Sequence, residues 1–235
     1  MKNVIIETAN VGTFRAAMRS LADTEKGQPG FGLVVGQAGR GKTMAARNHY
    51  AQNPSTIYLR AWEGWTQAAF LGALCQQVTG RSPHSVSASK RLLVQALDAT
   101  PATLLIDEAD RLHISRIEDL RDIHDETGAP VVLIGEEELL GLLGERRRIW
   151  SRVTQDVRFG PVTPEDAALF TMQAAGLDLD PDACRLLVDR ADGDFRLVRN
   201  AVQALESAAK AKQTKTVTVA MAASIVKPRP GRGRA

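Results

Sequence analysis

Apolar residues in this chain fall into short, near-continuous runs, separated by stretches in which they recur every three or four positions. Phe31–Val35, Thr56–Ala61, Thr103–Ile106 and Val131–Ile134 are the runs. Runs of that length predict strands buried on both faces, as in a parallel sheet whose crossovers are helices. The intervening spacing is helical. Val11, Phe14, Met18 and Leu21 mark a helix over Thr8–Lys26, broken by Gly27-Gln28-Pro29-Gly30. Thr66–Thr79, a stretch capped by Ser87 or Ser89 and running to Asp98, and Ile114–Glu126 are the next helices. Val153–Phe159 is the last predicted strand. Beyond Pro161 the period is helical: one helix opens at Thr163 or Pro164 and runs to Ala175, and Asp180-Pro181-Asp182 opens another to Ala191. Asp194 caps a third to about Lys212, and Thr218 a short last one. The expected fold class is α/β, a parallel sheet sandwiched by helices and followed by a small all-α lobe. The expected divisions are an N-terminal helix over 1–30, an α/β domain over 31–160, a helical lobe over 161–226 and a tail over 227–235.

One junction in this pattern carries chemistry. Directly behind Phe31–Val35 stand Gly36-Gln37-Ala38-Gly39-Arg40-Gly41-Lys42-Thr43, and a helix runs from Lys42 to about Gln52. A G-x-x-x-x-G-K-T loop between strand and helix lets successive backbone N–H groups turn inward around a phosphate chain. Lys42 adds positive charge for the β- and γ-phosphates. The Thr43 hydroxyl is a hard oxygen ligand suited to Mg²⁺, and the positive end of the helix dipole points at the same anions. Gly36 through Met44 are the expected nucleotide-binding residues, and ATP with Mg²⁺ the expected cofactors.

A second junction adds hydrolysis. The strand Thr103–Ile106 ends in Asp107-Glu108-Ala109-Asp110. Acids at the C-terminal end of a buried parallel strand sit at the edge where ligands collect in open α/β sheets. Asp107 is expected to hold Mg²⁺ through its water shell. Glu108 is expected to orient or deprotonate the attacking water, and Asp110 to start a helix.

Composition changes the picture little. Net charge is +3, but Lys227–Ala235 carries four of the positive charges and no acid, leaving the remainder near −1. That Pro/Gly/Arg tail cannot bury a core and is expected to be disordered. Cys75 and Cys184 lie in apolar helical runs and are expected as buried free thiols of a reducing, cytoplasmic compartment. No apolar stretch is long enough for a membrane span, and the N-terminus lacks a signal-peptide core.

Phosphate loop, Asp-Glu strand end, a further strand, a basic stretch and a helical lobe with Gly193-Asp194-Phe195-Arg196 together resemble the AAA+ ATPases over about residues 5–226. Within them, Thr8-Ala9-Asn10-Val11-Gly12-Thr13, Asp107-Glu108-Ala109-Asp110-Arg111-Leu112 and Pro130-Val131-Val132-Leu133-Ile134-Gly135 resemble the ATP-dependent transposition regulators, the B proteins of Mu-like phages and the ATPase partners of Tn7-like transposases. The resemblance implies that Arg196 reads the γ-phosphate from the lobe. It implies an arginine finger for a neighbouring subunit's ATP within Arg146-Arg147-Arg148-Ile149-Trp150-Ser151-Arg152; Arg152 fits best by its distance to the strand, with Arg147 and Arg148 open. It also implies a homo-oligomeric ring or helical filament, double-stranded DNA bound without sequence preference, and a transposase partner, with no membrane role. Lys90, Arg91, Arg111, Arg116 and Arg121 are the candidates to meet DNA, and Trp62 and Trp65 are expected mainly as packing.

Two departures shape these expectations. Where the family ends its third diagnostic strand with Asn, Thr or Ser, this chain reads Gly135-Glu136. That element is either missing or served by Glu136, so slow hydrolysis is expected. Only some thirty residues precede the loop, so DNA binding is expected from the ATPase body and tail. The function expected is an ATP-dependent regulator that oligomerises on target DNA, stimulates a transposase and is released by hydrolysis. The alternatives are a secretion-type ATPase acting on a protein complex and a replication loader.

Overall fold

The computed structural model describes residues 1–2, 4–23, 30–144 and 146–227. The Gly27–Pro29 break and all of the basic tail except Lys227 therefore lie outside the described residues. The chain divides into two compact units, one of Ala9–Gln37 and Lys42–Phe159, the other of Met1–Thr8, Ala38–Gly41 and the chain from Gly160.

The first unit alternates helix and strand: α1 (Ala9–Ala22), β1 (Phe31–Val35), α2 (Lys42–Gln52), β2 (Thr56–Arg60), α3 (Gln67–Thr79), α4 (Val86–Ala99), β3 (Thr103–Asp107), α5 (Ile114–Thr127), β4 (Val131–Gly135), α6 (Glu138–Gly144), α7 (Arg147–Trp150) and β5 (Val153–Arg158). The strands form one sheet in the order β2-β3-β4-β1-β5, with every pairing parallel. Alternation splits the central strands between two cores. Leu33, Val35, Leu104, Ile106, Val131 and Leu133 join α3 to α7 on one face. Val34, Leu105, Val132, Ile134 and Val157 join α1 and α2 on the other. A sheet covered on both faces needs apolar side chains along its central strands, which is why the runs are near-continuous.

Local chemistry sets the helix ends. The Thr66 hydroxyl accepts from Ala69 N–H to start α3, and Gly80 closes it in the left-handed region at φ 71°. Helix α4 starts earlier than the candidate caps Ser87 and Ser89: Ser85 is the cap, accepting from Ala88 N–H at 3.2 Å. The earlier start brings Val86 against the core reached by Leu93 and Leu97. Asp110 falls in a 3₁₀ turn, Ala109–Arg111.

The second unit holds α8 (Pro164–Ala175), β6 (Asp178–Leu179), α9 (Pro181–Ala191), α10 (Phe195–Ala211), β7 (Thr216–Val217) and α11 (Val219–Ile225). Thr163 and Asp166 satisfy each other's backbone N–H groups in a capping box ahead of α8. The helices share a core around Phe170, Leu187, Val198, Val202 and Leu205. Within this helical lobe β6 and β7 pair in parallel over two residues each, too short a run to show as strand periodicity. The first eight residues cluster with this unit and not with α1: Lys2 N–H donates to Ala174 O at 2.7 Å, and Ile6 is buried in the helical core.

Candidate active site

Strand order brings the chemistry together. In the first unit Val35 pairs with Gly135 and Asp107 with Ile134, so the C-terminal ends of β1, β4 and β3 lie side by side. Each end runs into a polar segment: the glycine-rich loop after β1, Glu136 after β4 and Glu108 after β3.

Gly39 at φ +80° and Gly41 at φ +97° turn the loop through conformations that L side chains rarely adopt. Lys42 opens α2 and is buried, and its ammonium donates back to the carbonyls of Gly36 and, at 2.9 Å, Gln37. Burial pulls its proton affinity below the ordinary lysine value, while Glu136, Asp110, Asp107 and Glu108 push it back up, Glu136 most strongly. Several carboxylates facing this ammonium leave the site rich in hard oxygen donors. Thr43 is half-buried beside it, and Met44, in the first turn of α2, is 43% exposed.

Asp107 is almost wholly buried, 2% exposed, and each of its oxygens has a protein partner. Oδ2 accepts from the Tyr58 hydroxyl at 2.7 Å and Oδ1 from Glu108 N–H at 3.0 Å. A buried carboxylate fixed at both oxygens, on the edge that also carries Thr43, suits a hydrated Mg²⁺. The residues present therefore fit an Mg²⁺–triphosphate, and Thr43 and Asp107 are the side chains that could hold the metal.

Glu108 has a left-handed backbone, φ 58° and ψ 37°. Its carboxylate is gripped by two guanidinium groups, Arg60 at 3.1 Å and Arg111 at 2.9 Å, each arginine about half exposed. Tyr58 and Arg60 are site residues that no motif singles out. With Thr56 they are the polar members of β2, spaced two apart and hence on one face, and that interruption of the apolar pattern is the available signal.

Tyr58 carries a prediction. Burial first, then its bond to Asp107, pushes the phenol up to about 12 from 10.0. Its proton is held more tightly in the folded state, so its stabilising contribution is complete below pH 10 and is lost as pH rises through about 12. Tyr58→Phe is expected to remove a phenolate absorbance step near pH 12. It should also raise the Mg²⁺ concentration needed for half-maximal nucleotide hydrolysis by about 10-fold, as loss of a ligand's supporting hydrogen bond does. Unchanged Mg²⁺ dependence would remove Tyr58 from the site.

In the second unit, which takes in Ala38–Gly41, Phe195 N–H donates to Gly39 O at 2.9 Å, and the Arg40 guanidinium donates to Asp192 O at 2.8 Å. A Cβ at Gly39 would overlap the Asp194 carboxylate. Asp194 caps α10 by accepting from Arg196 N–H at 2.7 Å. The Arg196 side chain is exposed and makes no ion pair among the described residues.

The remaining basic candidates separate clearly. Arg152 is held within its own chain, with a forked contact to both Asp125 oxygens at 2.6 Å each. Arg146, Arg147 and Arg148 are exposed and unpaired among the described residues. Lys90 bridges Asp119 and Asp122 at 2.8 and 3.2 Å, and Arg116 pairs with the same buried Asp119 at 3.2 Å. Arg121 is engaged by Glu118, Asp122 and Asp125, and Arg111 by Glu108. Of the five DNA candidates only Arg91 is exposed and without a carboxylate partner among the described residues. Trp65 packs on Phe70, with ring centroids 6.1 Å apart. Trp62, on the other side of Gly64 (φ +77°), stands 64% exposed.

Comparison with known proteins points the same way. A family profile described as an AAA domain matches residues 24–143. The chain is 24% identical over 179 residues to the Mu-like prophage FluMu DNA transposition protein B of Haemophilus influenzae, covering 70% of this chain and 61% of that protein. It is 28% identical over 163 residues to the ATP-dependent target DNA activator B of Escherichia phage Mu, covering 64% of this chain and 49% of that protein. It thus spans about half to three-fifths of the length of these relatives. Among solved structures, the ORC2 protein of Aeropyrum pernix in ADPNP–ADP complexes superposes with a TM-score of 0.69 at 15% identity, over 96% of this chain and 70% of that one. The RuvB Holliday junction branch migration motor of Thermotoga maritima gives 0.59 at 16% identity, over 94% and 68%. At these identities the likeness is one of fold.

Proposed function

The chain belongs to the AAA domain family, and from that membership we propose that it is an ATP-dependent, DNA-binding regulator of DNA transposition. In this reading it binds ATP with Mg²⁺, assembles on target duplex, stimulates a transposase and leaves on hydrolysis. The observation that carries the ATPase part is the convergence, in one unit, of Lys42, Thr43, the doubly anchored Asp107 and Glu108. The transposition part is supported by relatives named as a DNA transposition protein B and an ATP-dependent target DNA activator B.

Each residue has a distinct task in this proposal. Lys42 and the loop N–H groups bind the phosphates, and Thr43 and Asp107 hold Mg²⁺. The metal, when bound, neutralises charge on the β- and γ-phosphates. Glu108 takes the proton of the attacking water, which requires its carboxylate to be freed from at least one of Arg60 and Arg111. Arg196 supplies positive charge from the helical lobe. The finger offered to a neighbouring subunit falls to Arg147 or Arg148, since Arg152 is occupied by Asp125. Arg91 is free to meet a DNA phosphate, whereas Lys90, Arg111 and Arg116 would first give up carboxylate partners. No described helix is long and apolar enough to cross a membrane.

Electron microscopy of the purified protein with duplex DNA and a non-hydrolysable ATP analogue tests the whole proposal. Ordered multimers on DNA should form with the analogue and fail with ADP, and their affinity should fall steeply and linearly on a log–log salt plot. Duplex binding indifferent to both nucleotide and salt would overturn it.

A further inference from the structure

The end of β4 contains a substitution in space that neither motif explains. Gly135 has no backbone need to be glycine, since its φ is not among the positive values. Its neighbours are what exclude a side chain. A Cβ there would overlap Asp110 Oδ1 and lie 3.2 Å from Asp110 Cγ and 3.1 Å from Leu139 Cδ2. Oδ1, the same oxygen, accepts from Glu136 N–H at 3.0 Å. The Asp110 carboxylate thus reaches across from the 3₁₀ turn after β3, fills the place a residue-135 side chain would take, and anchors the next backbone amide.

That amide belongs to Glu136, the carboxylate acting most strongly on Lys42, with Asp110 itself next. The contact therefore ties the β3 end, which carries Asp107 and Glu108, to the β4 end, and sets where Glu136 stands at the phosphate edge. Resting on the ATPase reading above, we propose that Asp110 is a positioning residue for hydrolysis: from the β3 side it supplies the polar group that β4 cannot carry at Gly135, and it acts through Glu136. The glycine and the aspartate are two halves of one arrangement: the carboxylate can lie where it does because position 135 carries no Cβ.

Two experiments test this. The first is a thermal-unfolding cycle that needs no activity. Gly135→Ala should lower the Tm of the parent by several degrees, because the methyl group meets the Asp110 carboxylate. In an Asp110→Ala background the same substitution should change Tm by about 1 °C or less. Equal shifts in both backgrounds would overturn the mutual exclusion, whatever the protein does with ATP.

The second reads hydrolysis and binding separately. Asp110→Ala should lower kcat about 10-fold or more while the Kd for a fluorescent ATP analogue stays within about threefold. Asp110→Asn keeps an acceptor oxygen for Glu136 N–H and should retain kcat within about threefold. Asp110→Ala/Gly135→Asn, which returns a polar side chain from the β4 side, should recover at least fivefold over Asp110→Ala. Normal kcat in Asp110→Ala, or no recovery in a folded, ATP-binding double variant, would overturn the positioning role. A parent that neither binds nor hydrolyses ATP would instead refute the ATPase reading, with the unfolding cycle still reporting on Asp110 and Gly135.

Discussion

Lys42→Ala yields a folded protein whose grip on ATP is weakened by about 10- to 100-fold, the loss expected for one charge-assisted contact to phosphate. Folding survives because two effects offset. The variant gives up the ammonium's bonds to the Gly36 and Gln37 carbonyls, but it also removes a buried charge whose desolvation already pulls its proton affinity down. Titration with a fluorescent ATP analogue, alongside circular dichroism, checks both halves. Assembly on duplex should fail in parallel at nucleotide concentrations that saturate the parent. A variant that binds ATP like the parent would show that the lysine contacts only its own loop.

Glu108→Gln separates binding from chemistry. The amide keeps the size and a hydrogen-bonding oxygen but cannot take a proton, so hydrolysis should fall by about 100- to 10,000-fold with ATP affinity nearly unchanged. The paired arginines are about half exposed, and exposed ion pairs contribute little, so Tm should stay within a few degrees. If hydrolysis is what releases the protein from DNA, ATP-formed assemblies of this variant should outlast those of the parent severalfold in a chase with competitor duplex. Steady-state phosphate release equal to the parent's would move the proton-accepting role elsewhere, and Glu136 would be the next residue to substitute.

What the chain's order reveals, and what it hides, depends on distance along it. The glycine-rich loop and Asp107-Glu108 are contiguous in sequence, and each sits directly behind an apolar run, so strand, ligand and helix are read off together. The alternation of runs and helical periods likewise discloses the sheet and the helical lobe. Contacts made across strands are hidden. Tyr58 meets Asp107 from 49 positions away and Arg60 meets Glu108 from 48, pairings that exist only once β2 and β3 are in register. The same is true of Asp110 and Gly135. Along the chain, that glycine is an absent side chain; in space it is the room Asp110 occupies. Charges mislead for a related reason. Arg152, Lys90 and Arg116 are candidates for phosphate in the sequence, yet Asp125 and Asp119 on α5 hold them.

The left-handed backbone at Glu108 bears on how this protein could be engineered. A non-glycine residue there costs on the order of 1 kcal/mol, a cost that glycine escapes and asparagine tolerates better than glutamate. Selection for heat resistance alone would therefore be drawn to this position and would find its fullest relief in glycine, which has no carboxylate. On the function proposed above, the hardier descendant would keep its architecture and its hold on ATP, and would have lost the ability to let go.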